Sequence, residues 1–375
     1  MAGMGGKVSR HLLGLGVAVI AGLILAAPSG AAVAPCNGHP GLCSRTLDRV
    51  VLPGTHNSMG AEELGWSAPN QTFSIPGQLE RGARAFLIDT YYGRPVQSNG
   101  TTVVQTVDKS EGVETGAPVY LCHYNCTGGA SLLEDVFTEI RQFLEENPRE
   151  VLVFINEDYV GADDFAEVVE ASGLIDYTYQ RPLDGTWPTL AEMIASRDQI
   201  LFLAGDDIGD VPWYHRAYDG PMRETPYTFN AYGEADTALL TSPDLLPDSC
   251  RPNRGGNTGG LFLMNHWILG SGVLPIKEFA EVVNTKSALV NRARACEEIR
   301  GKLPTILAVD FFGTGDVVGA ARELNGLAVD RPRLTPAQIR NKARSLCKRK
   351  KGRARTSCIK KQTARLTRLN VRPSL

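Results

Sequence analysis

Along this chain, short apolar runs repeatedly stop on a polar residue, and stretches with helical spacing separate them. The first run, 50–52, ends at Pro53-Gly54 and delivers His56 and Asn57 together. A β-branched run closed by Pro-Gly reads as a buried strand leaving the core, although Thr, Asn and Ser also build ordinary turns. A second run, 83–88, ends on Asp89, a third, 119–122, on His123, and a fourth, 151–155, on Asn156-Glu157. Further buried strands are predicted at 199–204, 261–265 and 305–312, and a weak alternation over 101–118 reads as a hairpin. Apolar residues at Leu132, Leu133, Val136, Phe137, Ile140, Phe143 and Leu144 predict a helix over 132–146. Others are predicted at 74–82, 163–171, 190–197, 277–300 and 316–324. Strands separated by helices predict an α/β fold with a parallel sheet, and a single barrel fits the 375 residues.

Charge divides the chain. Residues 331–375 carry sixteen Lys or Arg and no acid, whereas residues 35–330 hold 21 bases against 41 acids. The net charge of −2 therefore conceals an acidic body, 36–330, and a basic C-terminal tail, 331–375. Residues 1–34 read as a signal peptide: Lys7 and Arg10 precede an apolar stretch, and small residues at 31–34 suit cleavage. All eight cysteines follow that leader, as expected of an exported, disulfide-bonded protein. Pairing of sequence neighbours is expected: 36–43, 122–126, 250–296 and 347–358. A secreted location follows, and the protein is expected to be monomeric with no specific nucleic-acid partner.

Four strand ends thus carry His56-Asn57, Asp89, His123 and Glu157, and on successive parallel strands these would converge on one pocket. Two imidazoles suit general base and general acid work near neutral pH. Oxygens from Asn, Asp and Glu are hard ligands suited to Ca²⁺. Asp310, ending the last strand, either orients His56 by accepting a ring hydrogen or is a polar residue of the barrel. Trp213, Tyr214 and Tyr227 either line the mouth or pack in the core, and His266 reads as a core residue. Zinc at Cys122, His123 and Cys126 is disfavoured, because no second cluster has matching spacing.

Pro53-Gly-Thr-His-Asn-Ser58, Leu87-Ile-Asp-Thr-Tyr91, Leu121-Cys-His123, Asn156-Glu-Asp-Tyr-Val160 and Val309-Asp-Phe-Phe-Gly-Thr-Gly-Asp316 occur in this order. Over roughly residues 45–328 the chain resembles the X domain of phosphatidylinositol-specific phospholipase C, in its secreted, X-domain-only form. That resemblance implies a distorted TIM-type (β/α) barrel that cleaves a phosphodiester. It implies that His56 helps deprotonate the inositol 2-hydroxyl, which attacks phosphorus to give a cyclic phosphate, while His123 protonates the leaving oxygen. It further implies Ca²⁺ held by Asn57, Asp89 and Glu157, and an inositol phospholipid or related phosphodiester as substrate. Two departures bear on the metal. Leu87 stands where animal relatives carry another carboxylate, and Thr90-Tyr91 stand where metal-independent relatives place an arginine.

Two functions compete. One is a secreted phosphodiesterase. The other is a catalytically lapsed barrel that binds anionic surfaces. Retention of both histidines favours the enzyme, and the His-Arg-Gly-type opening of glycerophosphodiesterases is absent. The basic tail is expected to contact an anionic membrane or cell surface.

Overall fold

The computed structural model describes residue 3 and residues 34–183, 185–230, 234–270, 274–327, 336–348 and 350–371. The leader expected over 1–34 and the start of the tail at 331 lie outside these residues, apart from Gly3 and Ala34. Eleven strands form one sheet: β1 Leu52–Thr55, β2 Ala85–Ser98, β3 Thr101–Val107, β4 Val119–Cys122, β5 Ala130–Leu132, β6 Leu152–Tyr159, β7 Ile200–Ala204, β8 Tyr214–Arg216, β9 Met222–Glu224, β10 Leu261–His266 and β11 Ile306–Val309. Eight of them run in the order β8-β7-β6-β2-β1-β11-β10-β9, every neighbouring pair parallel. The sheet curls into a barrel whose seam, between β8 and β9, carries no ladder. There Met222 N–H donates to the Ala217 carbonyl at 2.9 Å. This is the distorted TIM-type barrel expected from the sequence, open at one seam and followed by two C-terminal helices.

Parallel strands buried on both faces explain the continuous apolar runs. Alternate residues still part to two sides. Phe86, Ile88, Phe154, Phe202, Phe262 and Val309 pack outward with helix residues such as Phe137, Ile140 and Leu289. Leu52, Ala85, Val153, Ile155, Leu201, Leu203, Leu263, Ile306 and Ala308 fill the lumen. The lumen is tight at β1, where a Cβ on Gly54 would lie 2.9 Å from Ile306 Cγ2 and 3.3 Å from Ala85 Cβ. Only glycine lets the three strands approach so closely.

Three sequence expectations need correction. The run 119–122 forms β4, which is antiparallel to β2 and lies off the barrel path. In 101–118 only β3 is a strand, paired with the long extension of β2 through the turn at Asn99-Gly100, and Lys109–Thr115 is helical behind its Asp108 cap. Asn-Gly with both φ positive, 52° and 79°, is the two-residue turn that suits a hairpin's twist. The helix expected over 277–300 is two, Lys277–Val283 and Lys286–Arg300. The second restarts at Thr285, whose hydroxyl accepts from Ala288 N–H.

The cysteines pair as expected: Cys36–Cys43, Cys122–Cys126, Cys250–Cys296 and Cys347–Cys358. The helix Val317–Leu324 that closes the barrel is followed by Asn325. Its side chain accepts from Val51 N–H at 3.0 Å and donates to the Val51 carbonyl at 2.8 Å, like a neighbouring strand. Asn325→Ala would leave both buried backbone groups unpaired. The expected cost is about 2–3 kcal/mol, read as a lower urea midpoint with an unchanged slope.

Candidate active site

The parity that fills the lumen also aims the site. Continuing the inward positions past each strand end places His56 after β1, Asp89 and Leu87 on β2, Glu157 on β6 and Asp310 after β11. Asp89 and Glu157 are direct cross-strand neighbours in the β2–β6 register. His56, Asn57, Leu87, Asp89, Ile155, Asn156, Glu157, Gly205, Tyr218 and Arg254 line one cleft at this end of the barrel.

His123 arrives by a different route. β2 runs on beyond the barrel's rim, and β4 returns along it antiparallel, with Leu121 opposite Thr90. The end of β4 is thereby carried back down to the mouth. The Cys122–Cys126 disulfide then closes a five-residue loop around His123, with Tyr124 in the left-handed region at φ 61°. Both thiols are consumed in that bond, so zinc ligation by this cluster is ruled out.

The turn after β1 is pinned throughout. Ser58 Oγ lies 2.7 Å from Thr55 Oγ1, and Gln78 Nε2 donates to the Ser58 carbonyl at 2.7 Å. Gln71 Nε2 donates to the carbonyls of both His56 and Val309, tying β1 to β11. Asn57 takes a φ of 41°, a conformation that asparagine tolerates better than most residues. These ties fix the ring of His56, whose Nδ1 lies 2.8 Å from Asp310 Oδ1. Asp310 is buried, so its charge is paired with little help from water.

A chain of amides leads from the same carboxylate to the second histidine. Asn70 Nδ2 donates to Asp310 Oδ1 at 3.1 Å, and Asn57 Nδ2 donates to Asn70 Oδ1 at 3.3 Å. Asn57 Nδ2 also lies 3.1 Å from His123 Nε2. A carboxylate only accepts, so it dictates which way each amide points. In the neutral ring, His123 Nε2 then presents its lone pair to Asn57, with the ring hydrogen on Nδ1. One buried carboxylate thus orders both imidazoles.

Electrostatics separates the groups. Burial first, and then the charge of Glu157 beside it, raises the Asp89 carboxyl well above the ordinary aspartate range. His123 is exposed as a residue, yet its ring loses hydration to the cleft. That desolvation, followed by the nearby His56, lowers its pKa against the opposing pull of Asp310 and Glu157.

Four contributors had no signal in the sequence. Trp267 stacks on His56 with ring centroids 3.7 Å apart and planes 3° from parallel. Asn70 supplies the amide link. Arg254 and Tyr218 form the far wall, both bonded to the fully buried Glu224, Arg254 Nε at 2.7 Å and Tyr218 Oη at 3.2 Å. Of the aromatic candidates, Trp213 and Tyr214 pack in the outer core, whereas Tyr227 is exposed beside the Arg254 guanidinium. His266 is a core residue, its Nε2 2.8 Å from the Val283 carbonyl and its Nδ1 3.1 Å from Arg292.

Asn57, Asp89 and Glu157 offer oxygen chemistry at one end of the cleft. The raised pKa of Asp89 marks two crowded carboxylates that a cation would relieve. The residues fit a sparse oxygen site. Among the described residues no group of three or more His, Cys, Asp or Glu is arranged for a metal, and Leu87 adds no ligand, so water and substrate would complete the shell.

The fold is an α/β barrel with two histidines, a buried acid and a carboxylate pair at its mouth. The family described as PI-PLC X 1 matches residues 42–325, and the chain belongs to it. A relative from the fungus Arthroderma benhamiae, PI-PLC X domain-containing protein 1, is 27% identical over 333 residues, covering 85% of this chain and 98% of the relative. A second protein of that fungus, described only as an uncharacterized secreted protein, is 26% identical, but the chain spans only 62% of its length. Among solved structures, one of Staphylococcus aureus phosphatidylinositol-specific phospholipase C is similar with a TM-score of 0.45 at 14% identity, covering 76% of this chain and 95% of that one.

Because Trp267 stacks flat on His56, it is expected to act as a positioning residue. Trp267→Leu is expected to lower kcat about tenfold with little change in KM, and Trp267→Phe to recover most of it, because a flat ring restores the stack. Loss in KM alone would contradict this. Asp89→Asn is expected to raise Tm at neutral pH. A raised carboxyl pKa in the folded state means that the ionised form destabilises the fold, and the penalty vanishes as pH falls below both pKa values. Thermal melts at pH 7 and pH 3 check the sign: a gain at pH 7 that persists at pH 3 would count against it.

Proposed function

We propose that this protein is a secreted phosphodiesterase that cleaves phosphatidylinositol or a related inositol phosphodiester by paired histidine catalysis. The observation that carries the reading is the pair of imidazoles that hydrogen bonds through Asn70 and Asn57 link to Asp310, with His56 and Asn57 lining the cleft. His56, with Nδ1–H directed to Asp310, leaves Nε2 free to accept a proton from the inositol 2-hydroxyl. That oxygen bonds to phosphorus as the bond from phosphorus to the glycerol oxygen breaks, and protonated His123 gives its hydrogen to the leaving oxygen. The products are a cyclic phosphodiester and the free alcohol, here diacylglycerol. Trp267 and Asp310 stabilise the imidazolium that His56 becomes.

Asn57, Asp89 and Glu157 would hold Ca²⁺, which when bound neutralises charge on the phosphate and favours ionisation of the attacking hydroxyl. Arg254, braced by Glu224, faces the same cleft and suits the anionic or hydroxyl-rich head group. A lipid substrate is supported by the rim. Exposed apolar side chains stand after β1, β4, β9 and β10 and at the end of β6: Leu64 51% exposed, Tyr124 86%, Tyr227 41%, Leu274 52% and Tyr159 44%. A secreted location fits the four disulfides and the secreted relative. The lapsed-barrel alternative has no use for a carboxylate that orders two rings.

His56→Ala and His123→Ala are each expected to cost about a hundredfold or more in kcat on phosphatidylinositol, with circular dichroism unchanged. Near-native turnover in either would sink the assignment. Since His123 must carry a proton and its pKa is lowered, kcat/KM should decline with rising pH below the ordinary histidine range. In kcat the same limb should move upward, because bound phosphate favours the imidazolium. Calorimetry with Ca²⁺ is expected to show binding that Asp89→Asn with Glu157→Gln abolishes. Identical isotherms for both proteins would remove the metal from the reading.

A further inference from the structure

The basic tail folds. Pro336–Leu346 and Gly352–Val371 form a helical hairpin tied by Cys347–Cys358, and Ile339, Ala343, Ile359 and Leu366 pack along its seam. Those few apolar contacts and the disulfide hold together a segment whose charges are all positive. Its turn presents Lys348, Lys350, Lys351, Arg353 and Arg355, all exposed, with Leu346 50% exposed beside them.

The hairpin's anchor lies at the opposite end of the barrel from the cleft. Arg365 pairs with Glu80 at 3.1 Å and also with Glu146. Glu80 ends the helix Ile75–Glu80 that feeds β2, and Glu146 ends Leu133–Glu146, which feeds β6. Both therefore sit at the barrel floor, where strands begin. Within the helix Gly352–Val371, the twelve steps from Arg365 back to Arg353 carry the basic turn about 18 Å from that anchor.

We propose that this hairpin is a floor-side foot that docks the enzyme on the phosphates of an anionic phospholipid surface without occupying the cleft. Phosphate-bearing surfaces match five bases crowded on one turn, each contributing about 1 kcal/mol near an anionic bilayer. A lipid surface is favoured over single-stranded nucleic acid because residues 336–371 contain no aromatic side chain on which a base could stack. Leu346 and the lysine stems suit the boundary between head groups and acyl chains. The choice of lipid as partner leans on the proposed function, but the test below reads binding without turnover.

The mature full-length protein is sedimented with vesicles of phosphatidylglycerol and phosphatidylcholine, neither of which is its proposed substrate. Binding is expected at low salt, none to phosphatidylcholine alone, and steep loss as salt shortens the Debye length. Replacing the five turn bases with Gln should weaken partitioning by at least about a hundredfold, given roughly fivefold per base, and replacing the three lysines with Arg should preserve it. The Gln variant should hydrolyse a soluble inositol phosphodiester at the native kcat/KM. Equal sedimentation of native and Gln proteins would overturn the proposal. So would native protein that ignores phosphatidylglycerol yet binds a sulfated polysaccharide or DNA. Absent hydrolysis with intact vesicle binding would strike the proposed function and leave the foot standing.

Discussion

Everything at the mouth of this barrel refers back to the buried carboxylate of Asp310. It ends β11, the strand beside β1, and Gln71 staples the two strands by bonding the carbonyls of Val309 and His56. Its Oδ1 meets the ring of His56 and the amide of Asn70. Because a carboxylate accepts and never donates when ionised, it imposes one polarity on the amide chain that reaches His123. Two imidazoles from distant parts of the sequence are ordered by one carboxylate, and each amide between them has a single sensible orientation. Asn284 Nδ2 adds a bond to the Asp310 backbone carbonyl at 2.7 Å, so the helix Lys277–Val283 ends where the same residue needs support.

Much of this was legible in the sequence because strands obey a two-residue period. Inward positions that are apolar at Leu52, Ala85, Val153 and Ile306 continue, at even spacing, to His56, Asp89, Glu157 and Asp310. The polar end of each apolar run was therefore already aimed at the lumen. His123 was visible as a residue and not as a geometry. A short apolar run reads the same whether its strand is parallel or antiparallel, and only pairing with the extension of β2 reveals the return path. Asn70, Tyr218 and Arg254 lie on loops without a pattern, and Trp267 follows a strand that looks like ordinary core. Nothing in composition says that an indole will lie flat on an imidazole. The break between Val283 and Lys286 was likewise hidden, since apolar spacing runs through it, although Thr285 carries the capping signal.

The molecule is polarised in two ways. Exposed Leu64, Tyr124, Tyr227 and Leu274 lie on segments that follow strands at the mouth, while the folded basic hairpin is anchored at the floor. The acids of the body and the bases of the tail are thus not merely opposite in sign. Arg365 spends its charge on Glu80 and Glu146, and the remaining bases of the turn are left to solvent. The candidate site and the anchor of the proposed foot lie at opposite ends of one barrel, and the carboxylates of Asp89 and Glu157 share the cleft with the Arg254 guanidinium.

Whether Asp310 sets the protonation pattern of both histidines is reported directly by the nitrogen shifts of the two imidazoles. In ¹⁵N spectra of the free enzyme above the titration range, His56 and His123 should both carry their hydrogen on Nδ1. Asp310→Asn should release His123 as well as His56 into a mixture of tautomers, even though Asp310 does not touch the second ring. If His123 in the native protein carries its hydrogen on Nε2, or keeps its tautomer when Asp310 is replaced, the carboxylate does not govern the pair and this account of the site fails.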